Sequence, residues 1–400
     1  MLFQFNLYSC LLLIFFVHIL VYTFLFFKRS IKQDNYSDKL MGWFLFIAAL
    51  MIIPFMVGFA GWYDNQPYRD VLFFVPFVHS LAIGPLLYFY VRAISNYTFK
   101  IKGKMYLHLL PAFAYLGINV LIGLADVFLF NKYNLTNEFE DPDFAGWYTI
   151  LSTISILIYL FLSIKHFKDY KKYTQITTSF ADLASLKWLQ NFLYAYAALT
   201  ILPIIKEILS NFAFFEKLRY FGPWYYYVAF ALVAYYIAIN AYHAIHLPLR
   251  RIQFSPHSLE PFQLQALTSI GKKEDFEAVE VQILPIDEKL IQLKNKLKIL
   301  MEEELLFERS DLTLTDVALK LETNAVILSK VVNQQFNLNF NDYVNQYRVN
   351  AVIERIANPK FKNQTLLAIA FDAGFNSKAT FNRAFKKFTN KNPKDYLSIT

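Results

Sequence analysis

Cysteine is nearly absent from this chain, since Cys10 is the only one among 400 residues. One cysteine excludes an intrachain disulfide, a CxxC redox pair and a cysteine-based zinc site. Because Cys10 lies inside an apolar stretch, we interpret it as a small apolar side chain that faces lipid or a neighbouring helix.

Charged side chains are also scarce. They make up 18% of the residues, whereas 56% are hydrophobic; soluble domains have about 25% charged and about 45–50% apolar residues. The charge is unevenly distributed, because it is sparse up to about residue 248 and returns at ordinary density from about residue 286. The net charge of +8 therefore has to be interpreted region by region.

Motifs for catalysis are missing as well. The sequence has no glycine-rich phosphate loop, nucleophile elbow, histidine-rich metal motif or kinase signature. We therefore predict a protein that is not an enzyme and that uses no metal and no cofactor.

Long apolar runs, in contrast, fill the first part of the chain. A helix needs about 20 mainly apolar residues to cross a bilayer, and seven stretches meet that length. They are Phe5–Phe27, Leu40–Ala60, Val71–Ile94, Met105–Phe130, Phe144–His166, Leu186–Ser210 and Gly222–His246. We predict a seven-helix membrane domain over residues 1–248, embedded in a lipid bilayer.

The basic residues of the short loops indicate which side each loop faces, because Lys and Arg are retained on the cytoplasmic side. They concentrate in every second loop: Lys28, Arg29, Lys32 and Lys39; then Arg92, Lys100, Lys102 and Lys104; then Lys165, Lys168, Lys171 and Lys172. We predict an amino terminus outside, a cytoplasmic C-terminal domain, and a multi-pass protein of the bacterial inner membrane.

Residues 249–300 are predicted to form a linker with an amphipathic helix over about 286–307. Its apolar residues recur at helical spacing and are Ile286, Leu290, Leu293, Leu297 and Leu300. One interpretation is a short parallel coiled coil that joins two copies of the protein. The other is the first helix of the next domain, which the short length of the seam favours. A homodimer through this helix and the membrane domain stays open.

Residues 301–400 have the pattern of a helical domain in which a helix-turn-helix plan occurs twice. In the first copy, Glu322-Thr-Asn324 ends a short amphipathic helix, and Asn324 is a good N-cap for a second helix over Ala325–Phe336. A longer helix follows over about Phe340–Ala357. It ends before Pro359, because proline cannot continue a helix.

The second copy ends in a basic helix. Gly374 supplies a turn that needs a left-handed backbone, and Ser377 caps a helix over about Lys378–Thr389. The phenylalanines of this helix fall at core spacing and leave a face that carries charge of one sign, which favours a polyanionic partner. The fold class predicted for the whole chain is all-α.

Residues from about 302 to 397 resemble the DNA-binding domain of AraC-family transcription regulators. The residues that carry the resemblance are Leu312-Thr-Leu-Thr-Asp-Val-Ala, Leu328-Ser-Lys-Val-Val-Asn, Phe340-Asn-Asp-Tyr-Val-Asn-Gln-Tyr-Arg348, Ile369-Ala-Phe-Asp-Ala-Gly-Phe-Asn-Ser377 and Phe381-Asn-Arg-Ala-Phe-Lys-Lys-Phe. The resemblance implies double-stranded DNA as partner, with the second helix of each unit in successive major grooves.

By position, the resemblance also implies which side chains face DNA. In the first recognition helix they are Val326, Ser329 and Lys330, and in the second they are Lys378, Ala379, Asn382 and Arg383. Arginine can bind a guanine edge and asparagine an adenine edge. Lys386, Lys387 and Lys391 are expected to bind phosphates, which positions the domain without specifying sequence.

Two turns depart from the family pattern. Glu322-Thr-Asn324 replaces a glycine-containing turn, and Asn390-Lys-Asn-Pro393 replaces a glycine-bearing stretch before the proline. We expect asparagine to take the left-handed conformation at both places.

Ionisable residues in or near membrane spans are costly, so they are candidates for a signal site. Here they are His79, Asp126, Lys206 and Glu207, near the outer ends of their helices. The simpler interpretation is that these side chains reach the outer membrane interface.

The sequence as a whole predicts a membrane-embedded one-component transcription regulator, controlled by an unknown small-molecule or envelope signal. The alternative is a transporter-like membrane protein whose helical tail is regulatory and does not bind DNA. Paired inverted repeats or a carboxylate cluster within the spans would favour the alternative, and neither is visible in the sequence.

Overall fold

The computed structural model describes residues 5–130, 134–136, 142–181, 185–210, 222–244, 252–262 and 286–397. Throughout this described part the regular elements are helices, so the all-α prediction is confirmed. The chain divides into two compact units. The apolar unit comprises Met1–Phe167 and Lys187–Gln253, and the C-terminal unit comprises Lys168–Leu186 and Phe254–Thr400.

Eight α-helices begin in the described residues of the apolar unit. They are α1 (Leu7–Gln33), α2 (Tyr36–Gly58), α3 (Tyr68–Phe74), α4 (Ser80–Ser95), α5 (Leu110–Ala125), α6 (Gly146–Thr177), α7 (Lys187–Ser210) and α8 (Gly222–His243). A π-helical turn, Asp126–Phe130, extends α5. Six helices in the described part of the chain are long and apolar enough to cross a membrane, and α4 is a shorter apolar helix.

The third predicted span, Val71–Ile94, is wrong as a single helix because α3 ends at Phe74 and α4 begins at Ser80. The break contains Pro76, which has no N–H to donate and disfavours a helical conformation in the residue before it. Val75 is accordingly extended, with φ −103° and ψ 112°.

The buried carboxylate of Asp143 stabilises this break. Its Oδ2 accepts the backbone N–H groups of Phe77 (2.7 Å) and Val78 (2.9 Å), and its Oδ1 accepts the Tyr115 hydroxyl (2.9 Å). In a continuous helix the N–H groups of Phe77 and Val78 would donate to backbone carbonyl oxygens of the preceding turn. Here they donate to Asp143 instead, because buried backbone N–H groups require an acceptor.

An ion pair joins the ends of three helices of the apolar unit. The Arg29 guanidinium, at the end of α1, binds the carboxylate of Asp38 in α2 through two bonds of 2.6 Å and 2.7 Å. It also donates to the backbone oxygens of Ala241 (3.3 Å) and Tyr242 in α8. Asp38 is 1% exposed, so the pair is largely shielded from water.

We predict that Asp38→Asn lowers the stability of the apolar unit by about 3–5 kcal/mol, because Arg29 would keep its charge without a carboxylate. Thermal unfolding of the detergent-solubilised protein, followed by tryptophan fluorescence, measures this. Asp64→Asn makes the same chemical change at an exposed site and is expected to leave the midpoint temperature of unfolding unchanged. Equal midpoints for the two variants would contradict the role assigned to the pair.

The structure gives the bounds of seven further α-helices in the described residues of the C-terminal unit. They are α9 (Ile286–Glu302), α10 (Leu314–Lys320), α11 (Ala325–Phe336), α12 (Phe340–Ala357), α13 (Leu366–Asp372), α14 (Lys378–Thr389) and α15 (Pro393–Leu397). Their buried apolar side chains form one core.

The apolar seam of α9 is part of this core. Leu290, Leu293, Leu297 and Leu300 are buried among the side chains of the helices that follow. This packing is consistent with α9 as the first helix of the next domain. While that packing holds, these leucines are not available as the seam of a coiled coil between two chains.

Candidate nucleic-acid interface

The first helix-turn-helix unit consists of α10 and α11. Thr313 caps α10 through its side chain, which accepts the Asp316 N–H (3.2 Å), and Asn324 caps α11 by accepting the Ile327 N–H (2.8 Å). The turn between them has Glu322 at φ +54°. Each helix of the unit therefore begins at an N-capping residue, and a left-handed residue lies between the two helices.

The second unit, α13 and α14, has the same construction. Thr365 caps α13 by accepting the Ala368 N–H, and Ser377 caps α14 by accepting the Thr380 N–H. Gly374 is the left-handed residue, with φ +94°. Helix α12, of 18 residues, lies between the two units in sequence and is about 27 Å long at 1.5 Å per residue.

The expectation about the turns is half confirmed. Asn390 is left-handed (φ +57°), as predicted. In the first turn, however, Glu322 takes the position of the family's glycine, whereas Asn324 is extended because a helix N-cap has non-helical, β-region dihedrals.

Helix α14 exposes its basic and polar side chains on the side opposite its aromatic anchors. Phe381 and Phe385 are buried in the core. In and just after α14, the side chains that the sequence assigns to DNA are exposed: Lys378, Ala379, Asn382, Arg383, Lys386, Lys387 and, beyond the helix, Lys391. This set is called the α14 face below. Its cations are spread along one helix, which suits a polyanionic groove.

One lysine of the α14 face has an acidic neighbour that the sequence did not reveal. The Lys387 Nζ lies 2.7 Å from Oδ2 of Asp342, in the first turn of α12. A phosphate at Lys387 has to compete with this carboxylate. Although Arg383 is exposed, nearby protein atoms remove part of the hydration of its guanidinium, and this desolvation lowers its pKa from the ordinary value; arginine stays protonated at neutral pH.

Helix α11 presents a different surface. Val326 and Lys330 are half-buried, but Ser329 is only 4% exposed, and its Oγ accepts the Asn333 side-chain amide (3.4 Å). Asn333 is itself exposed and follows Val326 by seven residues, so it shares their side of the helix. Asn333 was not assigned to DNA by the resemblance, but its helical spacing from Val326 and Lys330 would have predicted that it shares their side of α11.

The four candidate signal residues differ in their surroundings. Asp126 is fully buried and accepts the backbone N–H groups of Leu135 (2.8 Å) and Thr136 (2.7 Å), so it organises the turn after α5. His79 immediately precedes α4. The side chains of Lys206 and Glu207 lie outside the described residues.

A cavity of about 280 Å³ lies beside the Asp126 turn. It is lined by Asn119, Ile122, Leu135, Thr136, Pro142, Ala145, Gly146 and Trp147. Asn119 and Thr136 supply polar groups and Trp147 an aromatic surface, which is the mixture that small-molecule sites use.

Comparison with known proteins agrees with the geometry of the C-terminal unit. Residues 317–398 match the family model described as a helix-turn-helix domain, a span that contains α11 to α15. The chain thus carries an AraC-type helix-turn-helix domain, as the sequence motifs indicated. No curated protein and no solved structure matches the chain.

We predict that Gly374→Ala destabilises the second unit by about 2–4 kcal/mol. An added Cβ would lie 2.6 Å from the Phe307 carbonyl oxygen and 2.8 Å from that of Glu308, on a backbone with φ +94°. Hydrogen–deuterium exchange of residues 366–389 in the full-length protein measures the loss of protection.

Glu322→Gly is the matched control, because it removes a side chain at the corresponding left-handed position of the first turn, where Gly374→Ala adds one to the second. Glycine relieves the strain of the left-handed backbone but raises the conformational entropy of the unfolded chain. These effects offset each other, so the free energy of unfolding is expected to change by less than about 1 kcal/mol. Unchanged protection in Gly374→Ala would show that the second turn tolerates a side chain.

Proposed function

We propose that this protein is a membrane-embedded transcription regulator that binds specific DNA through both helix-turn-helix units. The observation that carries the proposal is the α14 face. It places Asn382 and Arg383, which can bind base edges, beside lysines that can bind phosphates. All of them are exposed on a helix held from behind by buried phenylalanines.

The first recognition helix contributes less charge, since Lys330 is the only ionisable residue of α11. We propose that Val326, Lys330 and Asn333 face DNA there, with Ser329 near the edge of the contact. The spacer α12 is compatible with two units that enter grooves one turn, about 34 Å, apart.

The DNA proposal predicts that Arg383→Ala and Asn382→Ala each weaken binding to a selected site by about 5- to 150-fold, which corresponds to about 1–3 kcal/mol per base contact. The full-length protein in lipid nanodiscs would first be used to select genomic fragments. Fluorescence anisotropy at about 50 mM and about 200 mM salt then gives the affinities.

Lys298→Ala removes the same charge from the exposed side of α9 and is expected to bind as the unchanged protein does. Binding that is neither salt-dependent nor sequence-selective would contradict the proposal, as would full binding by a protein with Arg383→Ala and Lys330→Ala together. The first result would favour a membrane protein with a regulatory tail that does not bind DNA, and the second would show that Arg383 and Lys330 do not carry the DNA contact.

The topology proposal is an outside amino terminus and a cytoplasmic C-terminal unit, in a bacterial inner membrane. Loop charge supports it, and so does one structural fact: the residues after α6 belong to the same compact unit as α9 to α15. Both segments must then lie on one side of the membrane, as they do when α7 and α8 cross it in between.

This topology predicts the behaviour of reporter fusions at the C-terminal end. A fluorescent-protein fusion is expected to fluoresce, because it folds in the cytoplasm, and an alkaline phosphatase fusion is expected to be inactive, because it needs the oxidising periplasm. The reverse pair of results would overturn the topology and remove the DNA-binding units from their substrate.

We propose that a signal acting on the apolar unit controls DNA binding. A small molecule or an envelope signal that binds the apolar unit would have to bind two states of the protein with different affinity. The cavity beside Asp126 offers a small molecule polar groups from Asn119 and Thr136 and an aromatic surface from Trp147. A homodimer also stays a prediction, and it would need a surface other than the buried seam of α9.

A further inference from the structure

The connection that follows α6 is buried, although it lies between two predicted membrane spans. Thr178–Ala181 are 2%, 0%, 2% and 6% exposed, in chain order. Connecting segments normally run over the surface. These residues belong instead to the C-terminal unit, and their hydrogen bonds show what they do there.

The backbone of this segment pairs with the residues that begin the first helix-turn-helix unit. Thr178 and Thr313 form an isolated antiparallel bridge, and the Ser179 N–H donates to the Leu312 carbonyl (3.0 Å). Thr313 is the N-cap of α10. The connection after α6 is therefore hydrogen-bonded directly to the start of α10.

A buried guanidinium reinforces this pairing. Arg348 of α12 is 1% exposed, and it donates to both the carbonyl oxygen (3.1 Å) and the Oγ (3.0 Å) of Ser179. It also donates to the carbonyl oxygens of Phe307 and Arg309, each at 2.8 Å. Ser179 thus supplies two of the oxygens that a buried cation requires.

The electrostatics of Arg348 explain why these oxygens matter. Burial lowers the pKa of its guanidinium to about 9, against an opposing effect of Asp311, so the group is still charged at neutral pH. Each oxygen withdrawn from a buried charge costs more than the loss of a neutral hydrogen bond. Movement of Ser179 would therefore disturb α12 as well as α10.

Aromatic contacts hold the last turns of α6 in the same unit. The Tyr173 ring lies 5.3 Å from that of Phe254 and 6.3 Å from that of Phe262, and Phe262 packs against the core of the helix-turn-helix units. Helix α6 itself runs without interruption from Gly146, in the apolar unit, to Thr177, in the C-terminal unit. Rigid secondary elements carry coupling between distant sites, and Ser179 follows the last residue of α6 by two positions.

We propose that Thr178 and Ser179 form a coupling contact, which positions the first helix-turn-helix unit and through which a displacement of α6 changes DNA binding. The paired arrangement is the DNA-binding form, and withdrawal of the segment from Arg348 and Leu312 is the weakly binding form. The inference rests on the proposed function for its effect on DNA, but the structural coupling can be measured without DNA.

The first experiment compares Ser179→Pro with Gln175→Ala in the full-length protein. Proline removes the N–H that bonds to Leu312, whereas Gln175 is an exposed residue of α6. We expect Ser179→Pro to increase hydrogen–deuterium exchange in residues 314–320 and to weaken binding to a selected DNA site on the order of 10-fold. Gln175→Ala is expected to change neither.

The second experiment locks the contact with a disulfide, whereas the first breaks it with Ser179→Pro. Residues paired across an antiparallel bridge have Cα atoms about 4.5–5.5 Å apart, within the range for a disulfide. With Cys10→Ser removing the only native thiol, Thr178→Cys and Thr313→Cys are expected to crosslink on oxidation. The oxidised form should bind DNA within about twofold of the same protein after reduction.

Three results would overturn the coupling contact: no crosslink on oxidation, a more than tenfold loss of DNA affinity on crosslinking, or wild-type exchange and binding in Ser179→Pro. If the wild-type protein binds no DNA, the proposed function fails instead. In that case the exchange of residues 314–320 and the crosslink still decide whether the contact exists.

Discussion

The C-terminal unit depends on one buried positive charge. The Arg348 guanidinium is shielded from water, and such a charge is tolerated only where oxygens surround it. Those oxygens come from the turn before α10 and from the segment after α6. Arg348 thereby holds together pieces of chain that are far apart in sequence, and the start of the first helix-turn-helix unit is one of them.

The two helix-turn-helix units share a plan and differ in how they meet a partner. Both place a left-handed residue between capped helices. The second uses glycine because the Phe307 and Glu308 carbonyls leave no space for a Cβ, whereas Glu322 is exposed and its turn tolerates a side chain. The second unit also carries most of the positive charge, so the two units are unequal contributors to DNA binding in the function proposed here.

Hydrophobicity and length are enough to predict most of the helices of the apolar unit. Within the described residues, six long apolar helices lie where stretches of suitable length occur, because a helix needs that length to cross a bilayer. The third stretch has the same composition, yet Pro76 and the Asp143 carboxylate divide it into two helices. Hydropathy does not detect an alternative acceptor for backbone amides, so it could not predict the break.

Local patterns in the sequence were enough to predict the all-α class, the apolar stretches, the order of the helix-turn-helix motifs and the exposed face of α14. Each of these depends on local spacing: the helical period, capping residues, or the alternation of phenylalanine with basic residues. The folded structure decided that the leucines of α9 pack in the domain core, that Ser329 is buried, and that Lys387 contacts Asp342. It also decided that Ser179 binds Arg348, because contacts between residues about 170 positions apart depend on the folded path of the chain.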